Sequence, residues 1–152
     1  MRSTQLQQEL AALDNTIDHE QWDHARSRLA QLLEQWPDDV GVRHDAAVIA
    51  AHDHQWEQAQ TLWEEILREQ PAHLPALIGM GHVALHKAEW TVAANYARQV
   101  MTADSRYQAD ARRILIIALA RQIQDHLARQ EWPLIPSPAH ELLALDSHHP
   151  SR

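Results

Sequence analysis

An all-α chain built from tandem repeats is what the sequence predicts, on three observations. Trp22, Trp56 and Trp90 recur every 34 residues, and Ala25, Ala59 and Ala93 keep the same interval, which marks a repeat architecture. Three glycines, no phenylalanine and many Ala, Leu, Gln, Glu and Arg residues favour helix, because these side chains lose little freedom there. No stretch alternates apolar and polar residues in the manner of a half-buried strand.

Laid out on that interval, the first unit covers about residues 6–39, the second 40–73 and the third 74–107, the number of copies a stable stack needs. The second half of each opens alike: Gln21-Trp22-Asp23-His24-Ala25, Gln55-Trp56-Glu57-Gln58-Ala59 and Glu89-Trp90-Thr91-Val92-Ala93. A ring three places before a small residue fills the wedge between paired helices, while the alanine lets their backbones approach. Pro37 and Pro71, twelve places after the first two alanines, end one helix before the next begins, since proline cannot continue the hydrogen-bond ladder. Ser105 holds the third such place.

This pattern resembles the tetratricopeptide repeat (TPR). The resemblance implies two antiparallel helices per unit and a right-handed superhelical α-solenoid of about seven helices, with residues 1–130 as one domain. Four residues after each alanine come Leu29, Trp63 and Ala97, where the family carries a large apolar residue; Ala97 is undersized, and neighbouring Tyr96 supplies volume. The first helices fit less evenly. Leu77-Ile78-Gly79-Met80-Gly81-His82-Val83-Ala84 follows the family spacing except that Ala84 replaces an aromatic residue. The second unit has Arg43, Ala46, Ala47 and Ala50 at those places, and the first has Glu9, Ala12, Leu13 and Thr16, as suits a terminal repeat with one side in water.

Beyond the third unit, residues 107–130 read as one long helix with Ala111, Ile114, Leu115, Ala118 and Leu127 on one side, covering the exposed core of the last pair. Gln124 and Leu127 stand where Trp and Ala would recur, so the repeat reaches only half of it. Residues 131–152 form a proline-rich tail. Pro133, Pro136 and Pro138 predict an extended path over 131–138, followed by a short helix over 139–146 that either packs on the body or is disordered.

The formal charge of −8, from 21 acidic against 13 basic residues, argues against nucleic acid, which is bound by clustered Lys and Arg. The absence of cysteine removes disulfides, thiolate catalysis and cysteine zinc sites, and fits a reducing compartment. Met1-Arg2-Ser3-Thr4-Gln5 leads into a polar amphipathic segment rather than the apolar core of a secretory signal. The most apolar run, 114–120, is far shorter than the roughly 20 residues that span a bilayer. A cytoplasmic protein with no membrane insertion is expected.

In the tetratricopeptide family the first helices of successive units line a concave face. The resemblance therefore implies a partner groove carrying Leu10, Asp14 and Ile17, then His44, Val48 and His52, then Ile78, His82 and His86, and finally Arg112, Ile116 and Leu119. Members that clamp a chaperone's C-terminal carboxylate use Lys, Asn and Arg; here the asparagine place holds Asp14, Val48, His82 and Ile116, which rejects that clamp. Apolar groups mixed with imidazoles suit an extended or helical peptide with apolar anchors, its acidic residues directed to Arg112 and Arg113.

His82 and His86 share a helix face at i and i+4, yet Val83-Ala84-Leu85 between them lacks the glutamate of the His-Glu-x-x-His zinc pattern and no third ligand is evident. They are read as groove histidines, with no metal and no cofactor. His52 and His54 flank Asp53 at a polar turn, and His148-His149 are read as equally ordinary. Protonating His44, His52, His82 and His86 between about pH 5 and 8 would change the charge of the groove. No phosphate loop or catalytic motif appears, so no catalytic residue is assigned, and Asp38-Asp39 and Glu64-Glu65 are helix starts or solvated faces. Trp36 and Trp132, each before a proline, are read as packing residues ahead of exposed anchors.

The expected function is non-enzymatic: a small adaptor, or an assembly or secretion chaperone of bacterial type, that holds a segment of another protein. The alternatives are a structural accessory subunit of a larger enzyme or secretion complex and, behind both, a histidine-based metal-binding protein. A compatible expectation is that Leu134, Ile135 and residues 142–145 fold back into the groove. The oligomeric state, a homodimer included, is left open.

Overall fold

A computed structural model describes residues 3–103 and 106–147, and within them every regular element is helical. Eight α-helices pack in neighbouring pairs: α1 (Thr4–Asp18), α2 (Trp22–Gln35), α3 (Val40–His52), α4 (Trp56–Glu69), α5 (Leu74–His86), α6 (Trp90–Met101), α7 (Gln108–Ala128) and α8 (Pro136–Ser147). A single 3-10 turn, Trp132–Leu134, precedes α8. Among the described residues no helix is long and apolar enough to cross a membrane. Ser105, His148-His149 and the opening Met1-Arg2 lie outside the described residues.

The chain forms two compact units, Met1–Ala76 and Leu77–Arg152. In the first, α1 packs on α2 and α3, α2 on α3, and α3 on α4. Leu6, Leu10 and Leu13 of α1 meet Ala25, Leu29 and Leu32 of α2 and Val42, Ala46 and Ile49 of α3 in one core, with Trp22 and Trp36 partly buried against it. Ala25 and Ala59 are fully buried, which fits close helix approach at the small residues. The starts of α1 and α3 are set by side-chain caps: Ser3 Oγ accepts the Leu6 amide at 3.1 Å, and an Asp39 carboxylate oxygen accepts the Val42 amide at 3.1 Å. Arg43 is buried in the middle of this unit. Its guanidinium donates to the Asp38 carbonyl at 2.8 Å and to the Glu69 carboxylate at 2.7 Å, which joins the start of α3 to the end of α4.

One turn recurs between helices. Glu20, His54, Ala88 and Gln130 all have left-handed backbones, with φ of 58°, 63°, 58° and 58°. In each, the left-handed residue's amide returns to the carbonyl three residues back, and the next amide to the carbonyl five residues before itself. The first copy has Glu20 on Ile17 and Gln21 on Thr16, both at 2.9 Å; the last has Gln130 on Leu127 at 3.1 Å and Glu131 on His126 at 2.8 Å. This double closure satisfies carbonyls that the helix end leaves open. A tryptophan follows two residues later every time: Trp22, Trp56, Trp90 and Trp132.

The second unit begins within α5. A β-carbon built on Gly81 would stand 3.1 Å from Ile114 Cδ1 and 3.9 Å from Tyr96 Cβ, so the missing side chain is what lets α5 approach α7 and α6. Ala111, Ile114, Leu115, Ala118 and Leu119 form the buried side of α7.

Two expectations are corrected in this unit, the extended path of 131–138 and the buried placing of Leu127. Residues 131–138 are not extended: Pro133 sits at the start of the 3-10 turn, and Pro136 and Pro138 lie in the first turn of α8. First-turn amides have no partner within the helix, so proline is tolerated there. Of the two outcomes left open for the helix after it, packing on the body is the one observed. The final helix is longer than the 139–146 predicted; it packs on α7 and the 3-10 turn, and Arg98 of α6 grips Glu141 with bonds of 2.8 and 2.6 Å. Thus α7 and α8 make a further helix pair, and Leu127, expected on the buried side, is 46% exposed near its turn.

Candidate functional site

Within the first unit, His44, Val48 and His52 stand four residues apart and share one face of α3, whereas Val42, Ala46 and Ile49 are the residues of α3 that enter the core shared with α1 and α2. Asp14 is exposed, while Ile17, His44 and Val48 are half-buried. Leu10 is only 6% exposed and belongs to the core, so its expected place in a groove is corrected: four residues before Asp14, it turns to α2 and α3. His52 is open to solvent but committed within the fold, because its ring stacks on Trp22 with centroids 3.6 Å apart and planes at 11°. Beside that stack, Arg26 of α2 holds Asp53 through both guanidinium nitrogens facing it, which draws the Asp53 carboxyl below its ordinary range.

His44 is the most constrained member of the set. Its Nδ1 accepts the indole N–H of Trp63 at 3.0 Å, so the neutral ring carries its proton on Nε2. The His73 ring lies edge-on at 6.1 Å, with its own Nδ1 accepting the Ala76 amide at 3.2 Å at the start of α5. Burial, reinforced by His73 and opposed by Asp14, pushes the His44 pKa down to about 4. The face therefore offers neutral imidazole and apolar surface with the Asp14 carboxylate beside them.

In the second unit, Ile78, His82 and His86 share a face of α5 at four-residue spacing. Ile78 and Ile116 are half-buried, and His82 and His86 are exposed. The His82 pKa is lowered mainly by the protein crowding it, with Asp110 opposing and Arg113 reinforcing the shift; the ring stays open to solvent, so its desolvation is partial. Leu119, with no exposed surface, is core and not groove, again a correction: α7 turns it inward with Leu115 and Ala118. Arg112 donates to the Leu145 carbonyl and Arg113 to the Asp110 carboxylate. Both guanidiniums expected to receive a partner's acidic residues are thus engaged by this chain.

Sequence reasoning missed two features. An open cleft of about 470 Å³ in the first unit is lined by Ser3, Leu6, Gln35, Trp36, Pro37, Asp38 and Asp39. The other is the sealing of a tryptophan by the helix that follows its pair. Trp22 is covered by His52, and Trp90 donates to Asp125 at 2.9 Å while Arg121 lies 5.8 Å over its ring. The signal for the first contact is a histidine 30 residues after Trp22, near the length of one repeat. Among the described residues, no group of three or more His, Asp or Glu side chains is placed to hold a metal ion. No protein-family model matches the chain, and no curated protein sequence matches it.

Proposed function

We propose that the chain is a non-enzymatic repeat protein of tetratricopeptide type, an adaptor or assembly chaperone that holds a segment of another protein against its first helices. The observation that supports this reading is the recurrence of one hairpin, with the same left-handed turn and the same following tryptophan at 34-residue spacing. Repeats in register set equivalent side chains side by side, a surface suited to an extended partner. Within each unit the pairs stack in the right-handed sense of that family.

In the first unit the contact set is Asp14, Ile17, His44 and Val48; in the second it is Ile78, His82, His86 and Ile116. Half-buried Ile17, Val48, Ile78 and Ile116 have apolar area left to lose on binding, and the imidazoles orient the bound segment by hydrogen bonds. The cysteine-free composition suits action in the cytoplasm.

The test is affinity capture from the source organism, with wild type compared against Asp14→Arg and against His82→Glu with Ile116→Glu. Supporting the proposal requires proteins lost in variants that keep wild-type helix content, and rebinding of synthetic segments of those proteins to wild type alone. A chain that is insoluble unless co-expressed with one partner, or capture unaffected by the substitutions, favours the structural-subunit reading instead.

A further inference from the structure

Charge is divided unevenly between the two units. Residues 1–76 carry 14 acidic against 5 basic side chains and residues 77–152 carry 7 against 8, so the negative excess of the chain belongs to the first unit. The described arginines of that unit stand apart from the face that bears Asp14, Ile17, His44 and Val48. Arg26 and Arg28 lie on α2 and Arg68 on α4, while α1 has neither lysine nor arginine. Arg26 is held by Asp23 and Asp53. The arginine of α3, Arg43, is 9% exposed and turned to the Asp38 carbonyl and the Glu69 carboxylate. On α1, Asp14 and Asp18 are both exposed, four residues apart on one side of the helix, and Ile17 beside them is half-buried. The Asp14 carboxylate acts on the His44 ring of α3, and burial keeps that ring neutral at neutral pH, so His44 adds no positive charge to the face.

Taking that face as the place where a partner segment binds, as proposed above, we infer that the segment is cationic and amphipathic. Its apolar side chains pack on half-buried Ile17 and Val48, and its flanking lysines or arginines pair with Asp14 and Asp18. Charge complementarity selects this occupant over an acidic one. An acidic segment would meet the two carboxylates with no cation of α1 to offset them, and like charges set side by side suppress the wrong partner. In the second unit, the arginines expected to receive such a segment are engaged, Arg112 by the Leu145 carbonyl and Arg113 by Asp110. A phosphate backbone fails at the first unit for the same reason of sign.

The probes are two fluorescent synthetic peptides of equal length and equal leucine spacing, one with lysine and the other with glutamate at the intervening places. Titrated with the full chain at neutral pH and low salt, the lysine peptide should bind at least about tenfold more tightly than the glutamate peptide. Raising the salt from about 0.1 M to 1 M should weaken it. Asp14→Lys with Asp18→Lys should lower its affinity by about tenfold or more at unchanged helix content, and Asp14→Asn with Asp18→Asn should lower it by less. Glu34→Lys with Glu89→Lys makes the same change of net charge at exposed places on α2 and before α6, and should leave the affinity within about threefold. Binding of neither peptide, no preference for lysine, or an equal loss in the two lysine pairs each overturns the inference. Its failure is separable from failure of the binding face: proteins captured from the source organism and lost in Asp14→Arg, with no preference for the lysine peptide, mean that the face holds a segment of other charge. Capture unaffected by Asp14→Arg removes the face itself.

Discussion

His44 ties the stability of the first unit to pH. Its folded pKa of about 4 lies below the ordinary 6.5, so the unfolded chain binds a proton that the folded ring refuses. Its contribution is whole above about pH 6.5 and is lost progressively as pH falls toward 4, by on the order of 3 kcal/mol. His44→Gln retains an acceptor for the Trp63 indole but cannot titrate. Urea unfolding followed by tryptophan fluorescence should show its pH slope between about pH 6 and 4.5 reduced by roughly one proton; an unchanged slope would exclude His44 as the cause. Gly81 sets a steric limit instead. Its missing β-carbon faces Ile114 Cδ1 at 3.1 Å, so Gly81→Leu overpacks the α5–α7 contact at a cost of about 1–3 kcal/mol. Ile114→Ala alone leaves a cavity worth about 2–5 kcal/mol. Chemical unfolding of the double variant should show a loss smaller than the two single losses added, because the new leucine refills the space; strict additivity would mean that the side chains do not share it.

At the scale of elements, the repeated turn holds an L-residue where glycine is at ease. A β-carbon in the left-handed region costs roughly 1–2 kcal/mol, and glycine's extra freedom in the unfolded chain returns about 0.5–1 of that. Ala88 has no long side chain to lose, so Ala88→Gly should stabilise the second unit by about 0.5–1 kcal/mol, seen as a higher denaturant midpoint with unchanged slope. Destabilisation there would mean that the alanine methyl makes a contact worth more than the strain. The same turn explains what could be read in advance. Trp22, Trp56 and Trp90 announced three hairpins because packing demands a ring beside a small residue at fixed spacing, and Pro37 and Pro71 marked helix breaks because proline lacks an amide hydrogen. Trp132 escaped that ruler. The last left-handed residue comes 42 positions after Ala88, eight more than the repeat, since α7 is about two turns longer than the interval allows. The candidate site was legible only in part, as helix faces can be drawn from spacing alone. That spacing could not show that Leu10 and Leu119 turn inward, that Trp22 occupies the His52 ring, or that Arg112 is taken by the Leu145 carbonyl.

At the scale of the whole chain, net charge governs association. With histidines neutral the charge is −8, and protonating all 12 makes it positive, so neutrality is crossed within the histidine range, near the sequence pI of 5.8. His44 and His82, both held below the ordinary range, charge late in that passage. At neutral pH two copies repel, and salt relieves the repulsion by shortening the screening length from about 10 Å at 0.1 M to about 3 Å at 1 M. Repulsion between copies should therefore weaken as salt is raised at neutral pH, whereas contacts held by ion pairs would loosen. At low salt the second virial coefficient from light scattering should be most negative near pH 5.8 and rise again on the acid side. A coefficient that falls steadily through that pH, or repulsion that grows with salt, would mean that specific charge contacts, not the net charge, control how copies meet.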